Sequence, residues 1–359
     1  MFEEGDLMAA HIVVAGTGTW GTTLAVLLAR KRLNVSLLAR TATEASTLQA
    51  DRENRRFLPG ITFPNPLAVS SSPDQVLGNC SMLFLVVPSQ TMRSNLGRLR
   101  SSLAPGTILV SASKGIESDG TDNIACRRMS EVIAEELPEE FGSRICVLSG
   151  PTLAREIAQN LPATAVVAAR DEGLARVVQE TLITPTFRVY TSGDVVGVEL
   201  GGALKNIIAL GAGMGDGLAV GDNAKAAFMT RGLAEIARLG VAAGANPLTF
   251  AGLAGLGDLV ATCSSRLSRN RFVGEELARG RKLADIQASM HMVAEGVSTT
   301  RAARLLARKY GIEMPITELM YDVLFQDKDP RAAVAELMTR EPKSELQGIE
   351  ESMPSILQR

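Results

Sequence analysis

Three glycines, Gly16, Gly18 and Gly21, directly follow a β-branched run, Ile12-Val13-Val14, and open a helical pattern over Trp20–Arg30 with Leu24, Leu27 and Leu28 on one face. A strand that turns on glycine straight into a helix is compatible with few folds, because it must begin a βαβ crossover. Each glycine of Gly16-Thr17-Gly18-Thr19-Trp20-Gly21 has a reason to be there. Gly16 permits the tight turn, Gly18 lets backbone approach a pyrophosphate, and Gly21 lets helix and strand pack closely. The positive helix N-terminus then holds the phosphates of a dinucleotide.

Further β-branched and apolar runs recur at Val35–Leu38, Met82–Val87, Ile108–Ser111 and Ile145–Leu148, and Ala163–Ala169 continues the series. With helical patterns between them, they predict an N-terminal Rossmann-like doubly wound parallel sheet covered on both faces. From Asp194 strand-like runs give way to helical spacing, which predicts an all-α C-terminal domain and an α/β protein overall. The expected division is a dinucleotide-binding domain over 1–193, a helical substrate-binding domain over 194–340 and a polar tail over 341–359, with residues 1–10 a flexible extension. Glycine is dense between Gly193 and Gly221. Because glycine is costly inside a helix, this density points to close backbone packing, with a loop-rich hinge as the plainer alternative.

With 359 residues, 46% hydrophobic and 21% charged, the chain has the size and balance of a soluble two-domain protein. Its net charge of -2 offers no field for nucleic acid or for anionic membrane, so an anionic metabolite must be held by locally placed cations. The four cysteines, Cys80, Cys126, Cys146 and Cys263, form no CxxC pair and fit buried thiols in a reduced cytoplasmic protein. With only two histidines, His11 and His291, the sequence offers no histidine-rich metal site, and no metal is expected. The acidic first ten residues have the wrong sign for a targeting segment. No membrane insertion is expected, since the best apolar stretch, Ile207–Gly215, stops at Asp216.

At the end of the second strand, an NAD-binding site would carry an acid for the ribose 2'-hydroxyl. This chain has Arg40 and Thr41 there, and no acid until Glu44. A guanidinium can pair with a 2'-phosphate, so NADP is preferred over NAD, with a solvated Arg-Thr pair as the alternative. If a ketone is reduced, an acid must protonate the forming alkoxide. Lys205 leads, set among Leu200, Ala203, Leu204, Ile207 and Ile208, where poor solvation would make it a better proton donor. A lysine snorkelling at a helix edge fits the same spacing equally well. Lys114 follows the Ile108 strand and Gly150-Pro151-Thr152 follows the Ile145 strand, both at the carboxyl ends where ligands gather in open parallel sheets.

These segments, with Ala112-Ser113-Lys114-Gly115, Ser149–Thr152, Gly201–Asn206, Gly221–Lys225, Thr230–Leu233 and Gly252–Gly274, closely resemble the bacterial-type NAD(P)-dependent glycerol-3-phosphate dehydrogenases, over about His11 to Asp327. The resemblance implies reversible hydride transfer between NAD(P)H and dihydroxyacetone phosphate, giving sn-glycerol 3-phosphate for phospholipid synthesis, in a cytoplasmic homodimer. It implies Lys205 as proton donor and acceptor, and Lys114, Gly150, Thr152, Lys205, Asp258, Ser268, Arg269 and Asn270 against substrate. It implies Thr19, Trp20, Lys114, Ala154, Arg269, Val293 and Glu295 against cofactor, beside Gly16, Gly18, Gly21 and Arg40. The chemistry of Ser268-Arg269-Asn270 agrees, since a guanidinium fork entering a helix suits a phosphate, although the triplet alone is equally a helix cap. The chain departs from the family pattern at Ala224, where a larger polar residue is common, and at Arg40, where members vary. A related two-domain NADP-dependent dehydrogenase of another small keto or hydroxy acid is the alternative.

Overall fold

The computed structural model describes residues 10–118, 126–290, 292–342 and 344–345, and among these, ten strands alternate with helices up to Ser192 while only helices follow. Residues 1–9 of the expected extension, most of the expected tail 341–359, and His291 lie outside the described residues. In chain order the strands are β1 (His11–Ala15), β2 (Asn34–Leu38), β3 (Leu67–Ser70), β4 (Cys80–Leu85), β5 (Ile108–Ser111), β6 (Ile116–Ser118), β7 (Cys126–Arg128), β8 (Ile145–Ser149), β9 (Ala163–Ala169) and β10 (Phe187–Ser192). Among described residues the chain divides into two compact units, one of 1–113 and 129–195, the other of 114–128 and 196–359.

The first unit is one eight-stranded sheet of order β10-β9-β8-β5-β4-β1-β2-β3. Its helices include α1 (Thr19–Arg30), α2 (Ala42–Asp51), α3 (Pro73–Leu77), α4 (Met92–Leu99), α5 (Met129–Glu136), α6 (Ala154–Ala158) and α7 (Glu172–Leu182). Because successive side chains of a strand point to opposite faces, the all-apolar runs feed two cores. Ile12, Val14, Val35 and Phe84 pack with Leu24 and Leu28 of α1, while Val13, Ala15, Leu83 and Leu109 pack with Leu96 of α4 and Ile133 of α5. The sheet departs from the all-parallel expectation at β8/β9, which run antiparallel (Cys146 opposite Ala169). Only the five-residue α6 lies between them, too little for a full crossover. The edge strands β3 and β10 are absent from the sequence reading. In β10 buried Phe187 and Val189 alternate with exposed Arg188 and Tyr190, so it carries no continuous apolar run.

The second unit is helical: α8 (Val195–Gly217), α9 (Asp222–Ala242), α10 (Pro247–Ala251), α11 (Asp258–Ser264), α12 (Arg269–Ala278), α13 (Leu283–Ser289), α14 (Glu295–Tyr310), α15 (Pro315–Phe325) and α16 (Pro330–Thr339), with a π-helical turn at Leu253–Gly257. It also contains the hairpin β6–β7, which the division at 193/194 left with the first domain. The hairpin's contacts explain its grouping. Ile116 and Cys126 enter the helical core, Cys126 Sγ donates to Ala302 O at 3.4 Å, and Arg128 pairs with buried Glu199 of α8 at 2.7 Å.

Helix α8 carries the dense glycines, and they are contact points rather than a hinge. A Cβ on Gly213 would overlap Arg271 O, and a Cβ on Gly274 of α12 would overlap Leu210 O, so the two helices touch backbone to backbone. A Cβ on Gly201 would come within 2.7 Å of Ala254 O in the π-helical turn. By length and composition α8 could cross a membrane, a length the sequence reading did not grant it, yet 83% of its most apolar window is buried inside the protein.

Gly274→Ala should therefore destabilise the protein by about 1–3 kcal/mol, the usual penalty for overpacking against backbone that cannot move aside. Gly97→Ala on α4, where nothing lies within 4 Å of the new methyl, serves as the control and should be neutral or stabilising. Chemical denaturation of both variants checks this, and equal effects would contradict the contact argument.

Candidate active site

In the first unit the glycine turn is built as its residue types require. Gly16 sits at φ 121° with its Cα against Val86 O, where a side chain would collide, and a Cβ on Gly21 would overlap Gly16 O. Gly18 caps α1 without a side-chain hydrogen bond, no acid follows in the first turn, and nothing lies within 4 Å of where its Cβ would be. The Trp20 indole Nε1 is buried with no hydrogen-bond partner. A first turn without an acid, open space at Gly18 and an unsatisfied indole donor together fit the phosphates of a dinucleotide.

The turn is braced by residues the sequence reading passed over. Buried Asn54 donates from Nδ2 to Thr17 O at 2.8 Å and to Thr22 Oγ1 at 2.9 Å, and Thr19 Oγ1 donates to Phe57 O at 3.1 Å. Glu44, four residues beyond Arg40, accepts from the Thr17 hydroxyl at 2.6 Å and from the Arg40 backbone N–H at 3.2 Å. Arg40 itself is exposed. Gly150 and Thr152 lie in the loop from β8 to α6, and Ala154 opens α6, its carbonyl accepting from Thr23 of α1 at 3.1 Å.

The second unit gathers Lys114, Lys205 and Asp258. Asp258 is 2% exposed, and its two oxygens accept separately, Oδ1 from Lys205 Nζ at 2.9 Å and Oδ2 from Lys114 Nζ at 2.8 Å. Lys205 also donates to Thr262 Oγ1 at 2.5 Å, and that hydroxyl donates to Asp258 Oδ1 at 3.2 Å. Lys205 is therefore no snorkelling lysine at a helix edge. Its stem lies in the apolar core as its neighbours predicted, but its ammonium meets a carboxylate and a hydroxyl. Thr262 was missed, although Asp258 and Thr262 are one helical turn apart on α11 and so share a face.

The charges perturb one another. Burial alone would raise the Asp258 carboxyl, but Lys114 and Lys205 outweigh it and hold the group below the usual carboxylate range. Burial pulls Lys114 down to about 8, against the attraction of Asp258 and with the repulsion of Lys205 adding to the fall. The triad carries a net positive charge, which suits an anionic ligand.

A chain of amides fixes the surroundings. Asn206 Nδ2 donates to Lys114 O at 3.1 Å, Asn270 Nδ2 donates to Asn206 Oδ1 at 2.8 Å, and Gly296 N donates to Asn270 Oδ1 at 2.9 Å. Asn270 is thus buried in this relay, and Ser268 caps α12 by accepting from Arg271 N at 3.2 Å. Arg269, the first residue of α12, is exposed and donates to Val293 O at 2.7 Å, beside Glu295, which opens α14. The structure thus joins Lys114, Lys205 and Asp258 directly, links Asn270 to them through Asn206, and joins Arg269 to Val293. No group of three or more metal-ligating side chains is found among the described residues.

Two family models match the chain: the N-terminus of NAD-dependent glycerol-3-phosphate dehydrogenase over residues 11–175, and its C-terminus over residues 194–335. A glycerol-3-phosphate dehydrogenase [NAD(P)+] of Geobacter sulfurreducens is 52% identical over 338 residues, covering 94% of this chain and 99% of the relative. One from Chlorobium limicola is 49% identical over 336 residues, with the same coverage. The crystal structure of glycerol-3-phosphate dehydrogenase from Coxiella burnetii superposes with a TM-score of 0.86 at 38% identity, over 92% of this chain and 99% of that one.

Removing the carboxylate charge should expose how much the triad depends on it. Asp258→Asn leaves two buried ammonium groups facing each other, which should cost about 3–5 kcal/mol at neutral pH. Part of that loss should return as pH rises and a lysine gives up its proton. Denaturation at pH 7 and at pH 9.5 checks it, and a pH-independent loss would speak against charge as the cause.

Proposed function

The chain belongs to the NAD-dependent glycerol-3-phosphate dehydrogenase family, and we propose that it interconverts dihydroxyacetone phosphate and sn-glycerol 3-phosphate with NAD(P)H or NAD(P)+. The observation that carries this reading is the Lys114–Asp258–Lys205 triad, a positive cluster in which Asp258 and Lys205 are buried and Lys114 half-buried, with a proton donor in it. Gly16, Gly18, Trp20 and the N-terminus of α1 would hold the dinucleotide, whose nicotinamide supplies the hydride.

Lys205 is the acid. An ammonium has three protons, and two are engaged by Asp258 and Thr262, which leaves one for the alkoxide oxygen that forms as the ketone is reduced. Held by two partners on α11, the ammonium cannot swing away, so the proton is offered from a fixed position. In the reverse direction the neutral amine takes the proton back, with Asp258 stabilising the ammonium that results. Lys114 donates to the other oxygen of Asp258, and its ammonium charge draws the substrate oxygens. Arg269, with Ser268 and Asn270 beside it, offers a guanidinium fork to the phosphate. The product is the glycerol phosphate used in phospholipid synthesis. A cytoplasmic setting is supported by four buried thiols, Cys80, Cys126, Cys146 and Cys263.

NADPH oxidation on adding dihydroxyacetone phosphate tests the reading, and unphosphorylated dihydroxyacetone should be a very poor substrate. Lys205→Ala should lower kcat by about 10²–10⁴-fold, the usual range for losing a general acid, with NADPH affinity unchanged. Near-normal turnover in that variant would remove the proton-transfer role.

The position of Lys114 gives a pH signature. Its proton is lost as pH rises through about 8, so kcat/KM for the phosphorylated ketone should fall above that pH. Lys114→Arg keeps the charge at all these pH values and should move the falling limb upwards. An unmoved limb would assign it to another group.

A further inference from the structure

The end of β2 holds two opposing charges within one short segment. Arg40 and Arg98 are the positive side: Arg40 is exposed with no hydrogen bond or ion pair to its guanidinium among the described residues, and Arg98 of α4 reaches the Arg40 carbonyl at 3.4 Å. Glu44 is the negative side, half-buried, and it is paired with neither arginine. Its two oxygens take the two donors nearest the glycine turn, the Thr17 hydroxyl at 2.6 Å and the Arg40 backbone N–H at 3.2 Å.

A capping box would explain an acid here, since Thr41 caps α2 and accepts from Glu44 N at 3.2 Å. In that motif, however, the acid returns to the backbone N–H of the cap residue itself. Glu44 reaches one residue further, to Arg40, and across to Thr17 in the dinucleotide turn. Its carboxylate therefore stands at the strand end where a Rossmann-like site reads the adenosine ribose.

We propose that Glu44 is a cofactor-specificity residue: it accepts a ribose 2'-hydroxyl and opposes a 2'-phosphate, acting as the counterweight to Arg40 and Arg98. The inference rests on the dinucleotide-binding reading of the first unit. A carboxylate readily accepts from a hydroxyl, but a 2'-phosphate near -2 must either approach a fixed anion or displace it from two donors. The arginines pull the other way, offering forks that match phosphate oxygens. A chain with both sets binds NADH and NADPH with less discrimination than either set alone would give.

The test is direct binding to the apoenzyme, measured by calorimetry with NADPH and NADH, and with adenosine 2',5'-bisphosphate and 5'-AMP as probes of the ribose site alone. Glu44→Gln removes the charge while keeping a residue that capping boxes accept, so its thermal stability should match wild type. The expected result is a shift of about tenfold in the NADPH:NADH affinity ratio towards NADPH, the size of one well-placed charge contact. Adenosine 2',5'-bisphosphate should tighten with it while 5'-AMP stays put. Arg40→Ala and Arg98→Ala should move the ratio the other way. A ratio unchanged in Glu44→Gln, or equal weakening of both cofactors with a lower Tm, would overturn the inference and leave Glu44 a brace of the turn. If the wild-type chain bound neither dinucleotide, the underlying reading would fall first, and the inference with it.

Discussion

Asp258 makes the second unit's charge arrangement possible. Two ammonium groups drawn to one carboxylate repel each other, and the more strongly where water is excluded. A carboxylate with one oxygen for each lysine turns that repulsion into two charge-assisted hydrogen bonds. The carboxylate stays ionised in spite of burial because the two cations beside it favour that form.

That arrangement rests in turn on how closely backbones approach α8. Gly201 admits the carbonyl of Ala254 one helical turn before Lys205, and Asp258 follows Ala254 by four residues, so the close contact sets the lysine against the carboxylate. Further along, Gly213 and Gly274 lock α12 to α8, and Gly296 brings the start of α14 against Asn206 O. The Asn206–Asn270–Gly296 relay then satisfies polar groups that such tight packing would strand. Small residues and amides do here what a wholly apolar interface could not: they fix helix termini to within a hydrogen bond's length.

What was legible in the sequence follows the range of the interactions that decide it. The glycine turn, α1 and the central strands are local patterns, and they stand where the residues put them. Edge strands β3 and β10 escaped notice because half-buried strands lack continuous apolar runs, and the β8/β9 reversal depends on a connection whose length alone signals it. Lys114 is the clearest long-range case. Its position after β5 predicts a ligand-facing loop, but nothing local says that β6 and β7 pack on the helical unit or that Lys114 meets Asp258, 144 residues away in sequence. Thr262 and Asn206 were within reach of helical spacing, since each shares a turn with a residue already singled out. Asn54 was not, because a buried brace from a loop carries no periodic mark.

With a net charge of -2, the chain would hold an anion only through local cations, and the two proposed for it differ in kind. Arg269 is a guanidinium that burial pulls below its ordinary range, against the attraction of Glu295, yet it stays charged at every pH the protein meets and is held in place by the Val293 carbonyl. Lys114 is an ammonium drawn out of water, with its charge made conditional near pH 8. An incoming phosphate ester would reverse the balance that lowers Lys114, because a second anion beside it favours the protonated form. The ligand thus restores part of the charge that binds it. Burial, which weakens the lysine as a free cation, is what makes its charge respond to the anion, and a solvated lysine at the same place would respond far less because water screens the interaction.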